Sequence, residues 1–254
     1  MSSDHSLEQP HPRPLSGAAV EPLPPALIPA RAPLRGRYVE LEAQDASRHA
    51  ADLYAAGHGS ALALKIWDYL AYGPWASVEE YRSTMRAQSA TFDTIFYAIR
   101  PLDAESFEGQ SSYLDINPLM GVIEIGHIWF GPRLARTRAA TEALYLMIRH
   151  ATDDLGYRRI HWRCNSLNEK SRQAARRLGF RFEGIFYNHM IFKGRNRDTA
   201  WYSILDDEWP EVRGILEAWL DEANFNQQGQ AQKSLNSMMS GRSPSPSQRG
   251  SSDE

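Results

Sequence analysis

An apolar, β-branched run, Gly121–Phe130, passes through a short basic segment directly into a long helical pattern, and this junction constrains the fold more than any other feature. The run has the composition of a central strand. Residues 138–155 place Leu144, Met147, Ile148, Ala151 and Leu155 at i, i+3, i+4, i+7 and i+11, the stripe of an amphipathic helix, and Gly156 stands where a C-cap glycine belongs. Between them lies Gly131-Pro132-Arg133-Leu134-Ala135-Arg136-Thr137-Arg138. The first turn of a helix carries backbone N–H groups without intrahelical partners at its positive dipole end, which makes a ready anion site suited to a pyrophosphate. Arginine pairs with phosphate oxygens in a bidentate way and strengthens that reading. From Gly131 to Gly184 there are twelve Lys/Arg against five Asp/Glu, in a chain of net charge −3, so positive charge is concentrated there. A basic helix start that binds nothing is the plain alternative.

The surrounding pattern alternates strands and helices. Arg37–Leu41 alternates polar and apolar residues as a half-buried strand does. Residues 45–56 and 77–88 read as helices, the second opening at Ser77 with Glu79 and Glu80 near its positive end. Thr94–Ile99, Ser111–Ile116 and Ile160–Cys164 read as strands. Asn168 is a good N-cap for a helix with Ser171, Ala174, Ala175 and Leu178 on one face and Gly179 at its end. Gly184–Phe192 and Thr199–Leu205 read as a hairpin joined by a charged loop, Lys193–Asp198, and residues 210–222 as a closing helix. The expected class is α/β, with strands alternating with helices and a hairpin at the end.

Both ends differ in composition. Residues 1–32 are proline-rich and are expected to form an extended arm. Residues 223–254, rich in Gln, Ser, Gly and Pro, are expected to form a disordered tail, since such a segment buries too little apolar surface to offset its ordering entropy. Within it, Ser243-Pro244-Ser245-Pro246-Ser247 reads as a solvated linker or a target for a proline-directed kinase. The folded domain is expected at residues 33–222. No apolar run approaches the ~20 residues of a membrane span, the N-terminus is a poor secretory signal, and Cys164 is alone. These features predict a cytoplasmic protein with no membrane partner, no disulfide and an inert, buried Cys164. A nucleic-acid partner is not expected either, because the arginines are spread over loop, helix and strand.

Several segments, taken in order, resemble the Gcn5-related N-acetyltransferase (GNAT) superfamily, in the branch of the ribosomal-protein N-terminal acetyltransferases. Glu124-Ile125-Gly126-His127-Ile128-Trp129, the basic loop and Ala140-Thr141-Glu142-Ala143 resemble its fourth strand and third helix. Leu155-Gly156-Tyr157, Asn168-Glu169-Lys170-Ser171, Leu178–Gly184 and the opening Leu34–Leu41 match further segments at family spacing, over about residues 34–206. The resemblance implies a mixed, mostly antiparallel central sheet flanked by helices. It also implies acetyl-CoA as co-substrate, no metal, and transfer of an acetyl group to a primary amine of a small molecule or protein N-terminus. A homodimer is compatible with it, and a non-catalytic acyl-CoA-binding module of the same fold is the alternative.

By resemblance, the cofactor residues are Ile128, Trp129, Arg133, Arg136, Thr137, Arg138, Ala139, Ala140 and Asn168. The phosphate loop departs from the family pattern at one place, since Arg138 stands where a glycine is expected. Glycine permits close backbone approach to a phosphate, so the Arg138 side chain must point away or its guanidinium must replace part of that contact. Direct attack by an amine on a thioester needs a neutral amine and hence a base. Glu124 is the matching carboxylate, with a strand-edge salt bridge as its plain alternative. His127, three residues on, falls on the opposite face of an ideal strand and is a reserve base only if a bulge intervenes. Ser171 matches the position that donates to the departing thiolate. Trp67, Tyr69, Tyr72 and Trp75 would line the acceptor pocket or pack in the core. His189 and Lys193–Asp198 receive no role, and Cys164, in the body of a strand, is not expected to act as a nucleophile.

Overall fold

In the computed structural model of the protein, the described residues are 25–242. The proline-rich stretch up to residue 24 and the Ser-Pro run at 243–247 lie outside them. The elements in chain order are β1 (Leu34–Arg35), β2 (Val39–Ala43), α1 (Ala46–His58), α2 (Ala61–Leu64), α3 (Val78–Ser89), β3 (Ile95–Pro101), β4 (Gly109–Asn117), β5 (Val122–Phe130), α4 (Arg138–Arg149), β6 (Arg159–Asn165), α5 (Glu169–Arg177), β7 (Arg181–Phe192), β8 (Arg195–Leu205), α6 (Trp209–Leu220) and α7 (Leu235–Ser240). Side chains that accept from first-turn N–H groups set four of the helix starts: Asp45 for α1, Ser77 for α3, Thr137 for α4 and Asn168 for α5.

Eight strands form one sheet in the order β1-β2-β3-β4-β5-β6-β8-β7. Every neighbouring pair is antiparallel except β5 with β6. This is the mixed, mostly antiparallel sheet flanked by helices that the resemblance implies. The α4 stripe lies on the sheet: Leu144, Met147, Ile148 and Ala151 join Tyr97, Tyr113, Ile123 and Ile125 in the main core. Burying each large apolar side chain there contributes roughly 1.5–3 kcal/mol. The Tyr113 hydroxyl, within that core, donates to the Met147 carbonyl at 2.6 Å. Glu142 on α4 accepts from the N–H groups of Arg37 and Tyr38 at 2.9 and 2.6 Å, which ties the β1–β2 turn to the helix. A second core, built on Trp67, Tyr81, Met85 and Trp129, joins α1 and α3 to the sheet.

Three expectations need correction. The described chain extends past both proposed boundaries. Residues 25–32 dock on the domain, with the Leu27 N–H donating to the Leu155 carbonyl at 2.8 Å, and α7 buries Leu235 and Met239, which are 2% and 8% exposed. Two apolar residues one helical turn apart supply the anchor that the polar composition concealed. Secondly, the helix after β5 stays α-helical only to Arg149 and closes through one wider π turn, His150–Asp154. Thirdly, the charged segment 193–198 is mostly strand. The turn is Lys193-Gly194 alone, with φ of +49° and +71°, and β8 starts at Arg195. Two consecutive positive φ values fit a two-residue hairpin turn, and Gly194 meets that demand without strain. Among the described residues no helix is long and apolar enough to cross a membrane.

Candidate active site

The site arises where the parallel pair comes apart. β5 and β6 are paired only at Val122↔Arg159, Ile123↔Ile160 and Glu124↔His161. Beyond Glu124 the strands diverge, while β6 stays paired with β8 as far as Asn165. On its β6 side the backbone of β5 from Ile125 onward therefore faces a cleft rather than a strand, while its other edge stays paired with β4. That cleft is lined by Glu124, His127 and Ile128 on β5, by Arg163 and Cys164 on β6, by Asn168 and Ser171 at the start of α5, and by Met190, Phe192 and Arg197 of the hairpin.

The sequence placed Glu124 and His127 on opposite faces, and the structure brings them together. One extra residue on β5 opposite Gln110–Ser112 makes a bulge there, with His127 at φ +52°. Glu124 is 4% exposed and ion-paired with Arg163, which also pairs with Asp115 on β4. Burial pushes the Glu124 carboxyl up to about 7, against the opposing pull of the Arg163 guanidinium. Gly126 makes room for it: a Cβ there would stand 3.1 Å from the carboxyl and 2.8 Å from Leu114. Burial holds His127 at about 4, and its Nδ1 lies 3.1 Å from the Tyr72 hydroxyl. That hydroxyl accepts from the Gln110 amide, so its own proton is free to donate to His127. With a low pKa and Nδ1 engaged, His127 is the poorer base of the two.

At the α4 N-terminus the Thr137 hydroxyl accepts from the Ala140 N–H at 3.1 Å. The N–H groups of Arg138 and Ala139, one position earlier in the turn, precede the helix's own hydrogen-bond ladder. The Arg138 side chain turns away from the loop. Its Cζ lies 4.0 Å from the Tyr38 ring centre and 3.8 Å from that of Phe225, and it donates to the Leu220 carbonyl at 2.6 Å. The backbone at this position therefore stays open despite the missing glycine. Arg136 is exposed, and Arg133, 72% exposed and 3.5 Å from the Glu108 carboxylate, also leaves most of its guanidinium on the surface beside this turn. Orphaned N–H groups and exposed arginines together fit an anionic phosphate.

Asn168 caps α5 and lines the cleft at the same time. The Ser171 hydroxyl accepts from the Trp162 indole at 3.0 Å and so keeps its proton for another acceptor. Cys164 lines the cleft too, but burial pushes its thiol up to about 11, which leaves no thiolate near neutral pH. Trp129, named as a cofactor residue, buries its side chain against Trp67 in the second core, with ring centres 5.3 Å apart. Its backbone alone could serve a ligand. Of the four aromatics expected at an acceptor pocket, Tyr69 reaches the cleft, Tyr72 touches it through His127, and Trp67 and Trp75 are core. Sequence reasoning missed Asp115, Arg163 and Arg197. The first two carry no local signal, and Arg197 was hidden in a segment taken for a solvated loop. Among the described residues no group of three or more His, Cys, Asp or Glu could hold a metal ion.

Residues 43–181 match the protein family described as an acetyltransferase (GNAT) domain. The structure is similar to that of a GCN5-related N-acetyltransferase from Brucella melitensis, at 41% identity and a TM-score of 0.84, covering 87% of this chain and 100% of the other. A probable acetyltransferase of the GNAT family from Chromobacterium violaceum ATCC 12472 is 39% identical with a TM-score of 0.72, covering 78% and 98%. A relative from Bacillus subtilis (strain 168), named "Putative ribosomal N-acetyltransferase YdaF", is 29% identical over 147 residues, which is 56% of this chain and 78% of the relative.

Proposed function

The chain belongs to the GCN5-related N-acetyltransferase (GNAT) family, and from that premise we propose how its cleft works. It is an acetyl-CoA-dependent enzyme that moves an acetyl group to a primary amine of a small molecule or protein N-terminus. When bound, acetyl-CoA supplies the activated acyl group. The residues fit it: the first-turn N–H groups of Arg138 and Ala139, with Arg133 and Arg136, would take the phosphates, and the open backbone of β5 with Asn168 would take the pantetheine arm.

The observation that carries the mechanism is Glu124, a buried carboxyl with a pKa of about 7 where the strands part. Ionised, it takes a proton from the acceptor ammonium or amine, so that the nitrogen lone pair attacks the acetyl carbon. As the carbon–sulfur bond breaks, the Ser171 hydroxyl, already accepting from Trp162, donates a hydrogen bond to the departing sulfur. An ammonium acceptor gives up two protons: the first passes through Glu124 to solvent, and the second, lost from the nitrogen as the amide forms, balances the one the thiol gains. Arg163 orients Glu124, while burial keeps the ion pair from fully suppressing the carboxylate's basicity. Attack is direct, since the Cys164 thiol is protonated. The reading of a non-catalytic module rested on the missing loop glycine, and the outward Arg138 side chain removes its support. A single buried cysteine without a disulfide also suits the reducing cytoplasm we propose as its location.

Mixing the protein with acetyl-CoA and an amine panel, then titrating free thiol, tests this reading. Amine-dependent thiol release that disappears in Glu124→Gln supports it. The absence of any acetyl-CoA-induced thermal shift at millimolar concentration would overturn it.

A further inference from the structure

Arg197 stands in the cleft without an anionic partner. It lies on β8 opposite Met190, and its Cζ is 4.4 Å from the centre of the Phe192 ring. Among the described residues its side chain makes no hydrogen bond or ion pair, and its Nε is buried with no partner. Glu124 and Arg163 are both near enough to act on its charge, but Glu124 is committed to Arg163. Arg163 takes both nearby carboxylates, Glu124 and Asp115, which leaves the Arg197 guanidinium as the charged group of this cluster without a direct ion pair. Such a group costs folding free energy unless a ligand supplies the anion.

Two contacts bound this side of the cleft. Lys193, at the hairpin turn, donates to the Trp67 carbonyl at 2.7 Å, and the Tyr69 hydroxyl donates to the Leu167 carbonyl at 3.1 Å. They join the hairpin, the segment after α2 and the β6–α5 loop around the opening, which leaves room for a compact molecule.

We propose that the acceptor is a small primary amine bearing a carboxylate or phosphate, whose anionic group pairs with Arg197 while its nitrogen meets Glu124. This deepens the acetyltransferase reading and rests on it. The guanidinium fork suits either anion through two parallel N–H···O bonds.

The test compares acetylation of matched acceptors by the full chain: amino acids against their carboxamides, and phosphoethanolamine against ethanolamine. The ratio of kcat/KM between the anionic and neutral member of a pair is expected to fall about tenfold to a hundredfold in Arg197→Gln, mostly through KM, and to be partly kept in Arg197→Lys. The carboxylate and phosphate pairs tell which anion is preferred. Since Arg197 has no protein ion-pair partner to orphan, both variants are expected to fold, which an unchanged or raised melting temperature checks. A ratio equal in wild type and Arg197→Gln overturns the proposal. If neither member of any pair is acetylated, the acetyltransferase reading fails on its own, and binding still decides here. Anionic members should then raise the melting temperature of the CoA-saturated wild type but not of Arg197→Gln, and equal shifts would overturn the role of Arg197.

Discussion

Glu124 and Arg163 form an ion pair at the last point where β5 and β6 face each other before the sheet opens, yet the Glu124 carboxyl keeps a pKa of about 7. Burial raises it and the Arg163 guanidinium lowers it; burial is the larger effect, and the nearby Asp115 carboxylate adds a smaller raise. A fully ionised carboxylate locked to one arginine would be a weak base, and an isolated buried one would stay protonated at neutral pH. Burial opposed by the Arg163 charge leaves the group between these limits.

The first consequence is a pH dependence. A carboxyl whose folded pKa is raised binds its proton more tightly than in the unfolded chain. Its contribution to stability is therefore present at low pH and lost as pH rises from about 4.5 to about 7. Activity runs the other way, because the base must be ionised. A kcat/KM profile should rise with an apparent pKa near 7, and that limb should vanish in Glu124→Gln. An unchanged limb in the variant would assign the titration to another group.

Arg138 is expected to matter for folding rather than for phosphate binding. Arg138→Ala removes its stacking between Tyr38 and Phe225 and its hydrogen bond to Leu220, at a cost of about 1–3 kcal/mol in urea unfolding. Acetyl-CoA affinity by calorimetry should change less than about threefold, under 1 kcal/mol. A large affinity loss with unaltered stability would mean that the guanidinium serves the phosphate after all.

Ser171 and Cys164 neighbour each other in the cleft but should respond differently. Ser171→Ala should lower kcat by about tenfold to a hundredfold, the loss of one hydrogen bond to a charged sulfur. Cys164→Ala should still turn over, and initial-rate patterns should intersect rather than run parallel. A dead Cys164→Ala with native stability would point to a covalent route.

The C-terminal helix α7 belongs to the domain. Leu235→Ala should cost about 2–4 kcal/mol of stability, because its side chain is buried in the main core. A variant as stable as the wild type would mean that α7 docks only weakly.

How far the chain could be read from sequence depends on how local each signal is. The run from Gly121 to Leu155 was legible because period-2 and period-3.6 patterns, a cap and a glycine stop lie within a few residues of one another. The same holds for Ser77, Asn168 and Gly156. Placing Glu124 and His127 in one cleft required the bulge, which depends on the register between β4 and β5. Arg163, Asp115 and Arg197 become neighbours only through strand order and the splay of β5 from β6, which no local pattern encodes. In the hairpin, polar composition outweighed the one informative residue, Gly194. In the tail, Leu235 and Met239 were too few against their polar surroundings to register as a helix face.

The most direct measurement is acetyl-CoA affinity and amine-dependent turnover in wild type and Glu124→Gln side by side. The variant should bind acetyl-CoA within about threefold of wild type and lose about a hundredfold or more in kcat, the scale of a missing general base. Wild-type turnover in Glu124→Gln would contradict the role assigned to the cleft's central carboxylate.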